Sequence, residues 1–272
     1  MTATHEAAVP PTTSRPSTNG ARSARIPFHR LLDVELRKTV DTRASAALLV
    51  GVAGLAVLVV GALAVWGRED ELGLAYLARS VVYPLQLVVP MVAALAVTGE
   101  WTQRGALTTF ALVPRRGRVV GAKATAGLIV AVSASLLALA LCALGTATSS
   151  PARGIEPVWD LAIAEAARLT LLLVVATAVG FAFAVAIRTS APTLVVFLVF
   201  MLILPSLSAM FAGLFEWYAA VAPWVDLSTT MGVLTGPSVT GEQWAQLGVS
   251  TLVWVGLPLA LGMRRLLRVE IR

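Results

Sequence analysis

The sequence predicts an all-α integral membrane protein, and its composition and the arrangement of its apolar residues indicate that fold class. The chain is 57% hydrophobic and only 13% charged, whereas about a quarter of the residues in an average soluble domain are charged. Apolar residues are concentrated in six stretches, each near the about 20 residues that a helix needs to cross the hydrocarbon core. These stretches must be helical, because backbone polar groups find no water in lipid and a helix satisfies them internally.

The chain divides into a tail and a membrane domain. Residues 1–27 are rich in proline, threonine, serine and alanine, a composition that buries too little surface to offset chain entropy, so a disordered cytoplasmic tail is predicted. Residues 28–272 form the predicted six-span domain. Its spans are residues 46–66, 81–98, 122–144, 161–187, 193–215 and 244–263.

Basic residues predict how the spans are oriented, since cytoplasmic loops carry an excess of lysine and arginine. With the amino terminus inside, 17 of the 21 basic residues lie on the cytoplasmic side and 4 lie outside. The prediction is a multi-pass protein of the cytoplasmic membrane with both termini in the cytoplasm. The preference for arginine over lysine favours a GC-rich bacterial genome.

The stretch FHRLLDVELRKTVDTR, just before the first span, predicts an amphipathic helix along the inner membrane surface. Apolar side chains recur at every fourth residue from Phe28 to Val40, and the basic residues among them can meet anionic headgroups. Glu35 interrupts the apolar stripe. Two interpretations are open: a polar contact to the neighbouring cytoplasmic loop, or a simple imperfection.

The loop after the second span, EWTQRGALTTFALVPRRGRVVGAK, runs from Glu100 to Lys123 and holds five basic residues. Leu107 and Phe110 lie on one face of a predicted short helix, which Pro114 ends. Any cytoplasmic loop attracts positive charge, so the arginines alone favour a role in orientation. The order of acid, short helix, proline, paired arginines and lysine is a feature that orientation does not require.

Two further features lie on the outer side. Residues 216–243 contain Trp217, Tyr218 and Trp224, rings that favour the headgroup layer. A re-entrant or interface-lying helical element and an ordinary loop with interfacial aromatics are both open for this segment. Glu165 and Arg168 lie one helical turn apart near the outer start of the fourth span and can pair on one face. They are interpreted as a structural pair near the interface or as substrate-facing groups.

Several activities are disfavoured by what the chain lacks. No Gly-Lys dipeptide is present, so there is no Walker A loop to bind ATP. The two histidines precede the first span and Cys142 is the lone cysteine, so no metal site, cofactor or enzymatic activity is predicted, and Cys142 is interpreted as packing. The basic residues cluster beside apolar runs, which argues against nucleic acid as a partner. The scarcity of charge within the spans disfavours an ion-coupled carrier.

The basic segment before the first span and the loop after the second together resemble the permease subunits of type-2 ABC transporters. In that family the loop carries a glutamate beyond the second span, a short helix, a motif of small residue, proline and arginine, and a lysine that opens the third span. The matching positions here are Glu100, Thr108, Pro114, Arg115, Arg116 and Lys123. This chain has Gly105-Ala106 where the family usually has Gly-Thr.

The resemblance implies a bacterial exporter in which two six-span permeases, two copies of this chain or one copy and a homologue, lie beneath two ATPase subunits. The loop would be a coupling helix docked in the ATPase, and the segment before the first span an elbow helix. The implied coupling residues are Glu100, Trp101, Arg104, Leu107, Thr108, Phe110, Pro114, Arg115 and Arg116. The substrate would be hydrophobic or amphipathic. A non-transporting membrane scaffold is the alternative, and an ion-coupled carrier is a more distant one.

Overall fold

The computed structural model describes residues 27–41, 43–102 and 116–268, and these residues form helices without any strand. Short π-helical turns interrupt α6 at Val199–Ile203 and α9 at Leu252–Gly256. The helices are α1 (Phe28–Asp41), α2 (Arg43–Trp66), α3 (Leu74–Thr102), α4 (Arg116–Ala152), α5 (Ile163–Ile187), α6 (Ser190–Leu214), α7 (Glu216–Val225), α8 (Leu227–Val233) and α9 (Gly241–Leu266), the last continuing to Arg268.

Five helices in the described part of the chain are long and apolar enough to cross a membrane: α3, α4, α5, α6 and α9. The described apolar part of α2, Val50–Trp66, is shorter. The predicted all-α class is therefore confirmed, and the five helices are those of a multi-pass membrane protein. The third predicted span ended too early, because α4 continues to Ala152. In its last turns the hydroxyls of Thr148 and Ser149 bond back to carbonyls of the preceding turn.

The long helices run alternately in opposite directions, which gives the bundle two ends. We call one the loop end: it holds α1, the end of α3, the start of α4 and the junction between α5 and α6. There the hydroxyls of Thr98 and Ser190 lie 2.8 Å apart. The other is the hairpin end, where α7 and α8 lie and where Leu74 N–H donates to the Val158 carbonyl.

Helices α3 and α5 form the centre of the bundle. Within their apolar windows 56% and 67% of the residues are buried, against 17% to 28% for α4, α6 and α9. Gly180 allows the close approach of α5 to α3, since a Cβ at that position would lie 2.9 Å from the Pro90 carbonyl oxygen. One apolar cluster joins α2 and α4 to this pair and includes the free, buried Cys142. Another joins α6, α8 and α9 to it.

Candidate functional site

The predicted coupling residues belong to the loop end of the bundle. Glu100 and Trp101 lie in the last turn of α3, and Arg116 is the first residue of α4. The remaining ones lie outside the described residues: Arg104, Leu107, Thr108, Phe110, Pro114 and Arg115. The predicted short helix also falls there. Helices α3 and α4, which carry this segment, pack against each other, so both of its attachment points belong to the same pair of helices.

A buried ion pair joins α1 to α4 at the loop end. Lys123 Nζ donates to Glu35 Oε2 at 2.6 Å, and both side chains are about nine-tenths buried. Lys38 Nζ donates to the other carboxylate oxygen at 3.0 Å. Of the two interpretations of Glu35, the structure supports the polar contact, made to the lysine that closes the predicted loop motif.

The Glu35–Lys123 pair closes one side of a small cavity between α3 and α4. The cavity has about 20 Å³ open to a water-sized sphere, room for about one water molecule. Small or β-branched residues line the rest of it: Val92, Ala93, Ala96, Val97, Ala126, Gly127 and Val130. The two helices that hold the predicted coupling segment are thus separated here by a gap with a charged mouth.

At the hairpin end, residues 216–233 form two short helices, α7 and α8, and a helical element of the predicted kind is present there. The turn between them reaches α9, where Trp254 Nε1 donates to the Val225 carbonyl at 2.7 Å. Trp254 is the fourteenth of the 26 residues in α9, so the turn lies beside the middle of that helix. The Trp254 ring also contacts Phe200 in the π-helical turn of α6, with ring centroids 4.7 Å apart.

Glu165 and Arg168, which the sequence places on one helical face, have separate partners in the structure. Glu165 Oε1 accepts hydrogen bonds from Arg79 of α3, from Nη2 at 2.6 Å and from Nε at 2.8 Å. Arg168 Nη2 donates to the carbonyls of Gly236 and Pro237 at 3.0 and 3.2 Å. Glu165 therefore fastens α5 to α3, and Arg168 fastens α5 to the segment after α8.

Helix α8 has an acid at its amino end and a base near its carboxyl end. The buried Asp226 side chain is its N-cap: Oδ1 accepts from Ser228 N–H at 2.9 Å and Oδ2 from the Thr229 hydroxyl at 2.9 Å. Burial by itself raises the pKa of Asp226, but hydrogen bonds from Ser208, Ser228 and Thr229 outweigh it and hold the pKa below its ordinary value. Both charges have the sign that the helix dipole favours.

The sequence interpretation missed three of these residues. Arg79 was not considered as a partner because the second span was predicted to begin at residue 81, whereas α3 begins at Leu74. Asp226 is followed by serine and threonine, a pattern that signals a helix N-cap. Trp254 lies within an apolar run, where its indole N–H needs an acceptor. Among the described residues, no group of three or more His, Cys, Asp or Glu could hold a metal ion.

No model of a known protein family matches this chain, and no curated protein sequence matches it at a significant level. The class of the protein is therefore defined by its helices. It is an all-α protein with five helices long and apolar enough to cross a membrane, which is the architecture of a multi-pass membrane protein.

Proposed function

We propose that this chain is the permease subunit of an ATP-driven type-2 ABC exporter in the bacterial cytoplasmic membrane. It would move a hydrophobic or amphipathic substrate, such as a lipid, a drug or an antibiotic-like molecule. A separate ATPase subunit would bind and hydrolyse ATP. The observation that carries the proposal is the ordered segment from Glu100 to Lys123, which connects two helices that pack against each other.

The proposal assigns a role to each part of the chain. Helix α2 is the first of six spans, α1 is the elbow helix at the inner surface, and residues 103–113 form the coupling helix. The loop end faces the cytoplasm, as the excess of arginine and lysine favours. The α7–α8 hairpin enters the membrane from the outer side, and a second copy or a homologous permease completes the translocation unit.

The geometry of the loop end supports a coupling role. A short helix whose two ends continue into α3 and α4 displaces those helices when it is displaced, because an α-helix is stiff over a few turns. Helix α3 lies in the centre of the bundle with α5, so its displacement reaches the core. The polar contacts at the other end, from Arg79, Arg168 and Trp254, hold α3, α5 and α9 to their neighbours there. Movement at the loop end relative to a fastened hairpin end would alternate access across the membrane.

Co-purification with an ATPase tests this function. The chain is expressed with each ATPase encoded by an adjacent gene, extracted in detergent and isolated through an affinity tag on the chain. We expect one ATPase to remain bound through size-exclusion chromatography. We also expect loss of the gene to increase sensitivity to, or retention of, an amphipathic compound. If no neighbouring ATPase binds, the scaffold alternative is favoured. Transport that persists without ATP but collapses with the proton gradient would favour a carrier.

A further inference from the structure

The Glu35–Lys123 ion pair is more deeply buried than its position near a helix end requires. Its neighbour Val34 is half exposed, whereas the Glu35 carboxylate faces α4. Removing two charges from water costs about as much as their attraction returns, so a buried pair is weak evidence of a stabilising role. An apolar contact of similar volume would join the two helices equally well. The ionic contact therefore calls for a role in fixing the position of α1 on α4.

The position of the pair along α4 indicates what such a contact transmits. Lys123 lies seven residues after Arg116, where α4 begins, which corresponds to about 10 Å along the helix. Phe28 contacts α4 at Gly121, where a Cβ would lie 3.9 Å from its ring. Helix α1 is thus attached to the first two turns of α4, the part of that helix nearest to segment 103–115.

The cavity beside the pair gives α3 and α4 room to move relative to each other. Protein interiors are usually filled close to crystal density, but here alanine and glycine side chains leave a water-sized gap between the two helices that flank the segment. A shift of α4 into that gap would carry Lys123 with it. As long as the ion pair holds, Glu35 and α1 must follow.

We propose that Glu35 is a positioning residue that locks α1 to α4, so that a displacement of segment 103–115 moves α1 along the membrane surface together with α4. This inference rests on the proposed function, because it assigns α1 to the moving part of the coupling apparatus. Lys38, which donates to the other carboxylate oxygen, orients Glu35 from within α1. Helix α1 is then a transmitting element as well as a membrane anchor.

Spin-label distances in the full chain, bound to its ATPase in lipid nanodiscs, test the lock. Labels replace Asp33 on α1 and Leu137 on α4, both exposed, in a Cys142→Ala background. We expect a narrow distance distribution in the nucleotide-free and vanadate-trapped states. Glu35→Gln should broaden it and reduce the effect of the chain on ATP hydrolysis about fivefold or more. A Glu35→Lys/Lys123→Glu exchange, made with Lys38→Gln to remove the like charge, should restore both.

The controls separate the lock from the proposed function. Asp70→Asn removes one partner of an exposed pair with Arg68 at the other end of the bundle and should change neither readout. If the ATPase binds and responds to the unmodified chain and to Glu35→Gln alike, with equal distance widths, the lock is refuted while the proposed function stands. An exchanged variant that folds and binds ATPase but stays uncoupled also refutes it. If no ATPase binds the unmodified chain, both proposals fail.

Discussion

The indole Nε1 of Trp254 lies 2.7 Å from the carbonyl oxygen of Val225. Val225 is the last residue of α7, and carbonyls in the last turn of a helix lack partners within that helix. Trp254 supplies this partner from the middle of α9, while its ring contacts Phe200 of α6. One side chain therefore joins the α7–α8 hairpin to the last two long helices.

Replacement of Trp254 by phenylalanine should destabilise the protein while keeping most of the aromatic contact. Loss of the donor leaves a buried carbonyl unsatisfied, which costs about 1–3 kcal/mol. Thermal unfolding in detergent, followed by tryptophan-independent circular dichroism, measures the effect. Trp244→Phe, at the exposed start of the same helix, is the matched control and should shift the midpoint much less. Equal shifts for the two variants would show that the Val225 contact contributes nothing specific.

Glu165→Gln and Arg79→Gln should each lower stability by about 1–3 kcal/mol, since each breaks charge-assisted hydrogen bonds. The Glu165 side chain is 9% exposed and that of Arg79 38%, so the cost lies below that of a fully buried pair. The double variant should cost less than the sum of the single ones. Asp70→Asn, in an exposed pair, should cost about 0–1 kcal/mol. Strict additivity of the Glu165 and Arg79 effects would rule out their coupling.

Asp226 should make stability depend on pH in the acid range. Its folded-state pKa is lowered by hydrogen bonds that outweigh burial. The carboxylate therefore contributes stability that is fully present above the ordinary value of about 3.9 and is lost as pH falls through the lower folded-state value. Unfolding midpoints of the unmodified chain and of Asp226→Asn, which retains a capping side chain, should converge as pH falls. A difference that stays constant with pH would contradict the lowered pKa.

Gly262→Ala should disturb the crossing of α5 and α9 at the loop end. A Cβ there would lie 2.7 Å from the Val185 carbonyl oxygen, a backbone atom that cannot turn away. Arg188 Nη2 also donates to the Gly262 carbonyl at 2.9 Å. Overpacking of this kind costs about 1–3 kcal/mol. Gly248→Ala, on the same helix with nothing within 4 Å, should be neutral or stabilising, and a similar loss in both variants would exclude the close approach as the cause.

The helices were predictable because their signal is repeated over many residues. Runs of about 20 apolar residues leave few alternatives to a spanning helix, and the helix before the first span follows from a four-residue repeat. Their ends were less predictable. Helix α4 runs past residue 144 through Thr148, Ser149 and Pro151, which read as loop residues in sequence but whose hydroxyls bond back to the helix.

The partners of polar residues were not predictable, because they come from helices distant in sequence. Glu165 and Arg168 are neighbours on α5, yet their partners belong to α3 and to the segment after α8. Glu35 was identified as an anomaly in an apolar stripe, but only the packing of α1 on α4 supplies Lys123. Sequence spacing defines which groups share a face of one helix, and it gives no information on which face of another helix lies opposite.

The rate of ATP hydrolysis by the neighbouring ATPase, measured with the chain in lipid nanodiscs, tests the coupling role of segment 103–115 most directly. The unmodified chain should bind the ATPase and change its rate. Arg104→Glu and Glu100→Lys should abolish that change with an unaltered unfolding midpoint, whereas Asp70→Lys, an exposed charge reversal at the hairpin end, should preserve it. An unchanged hydrolysis rate with the unmodified chain, or full coupling in both loop variants, would contradict the assignment of this protein as an ABC permease.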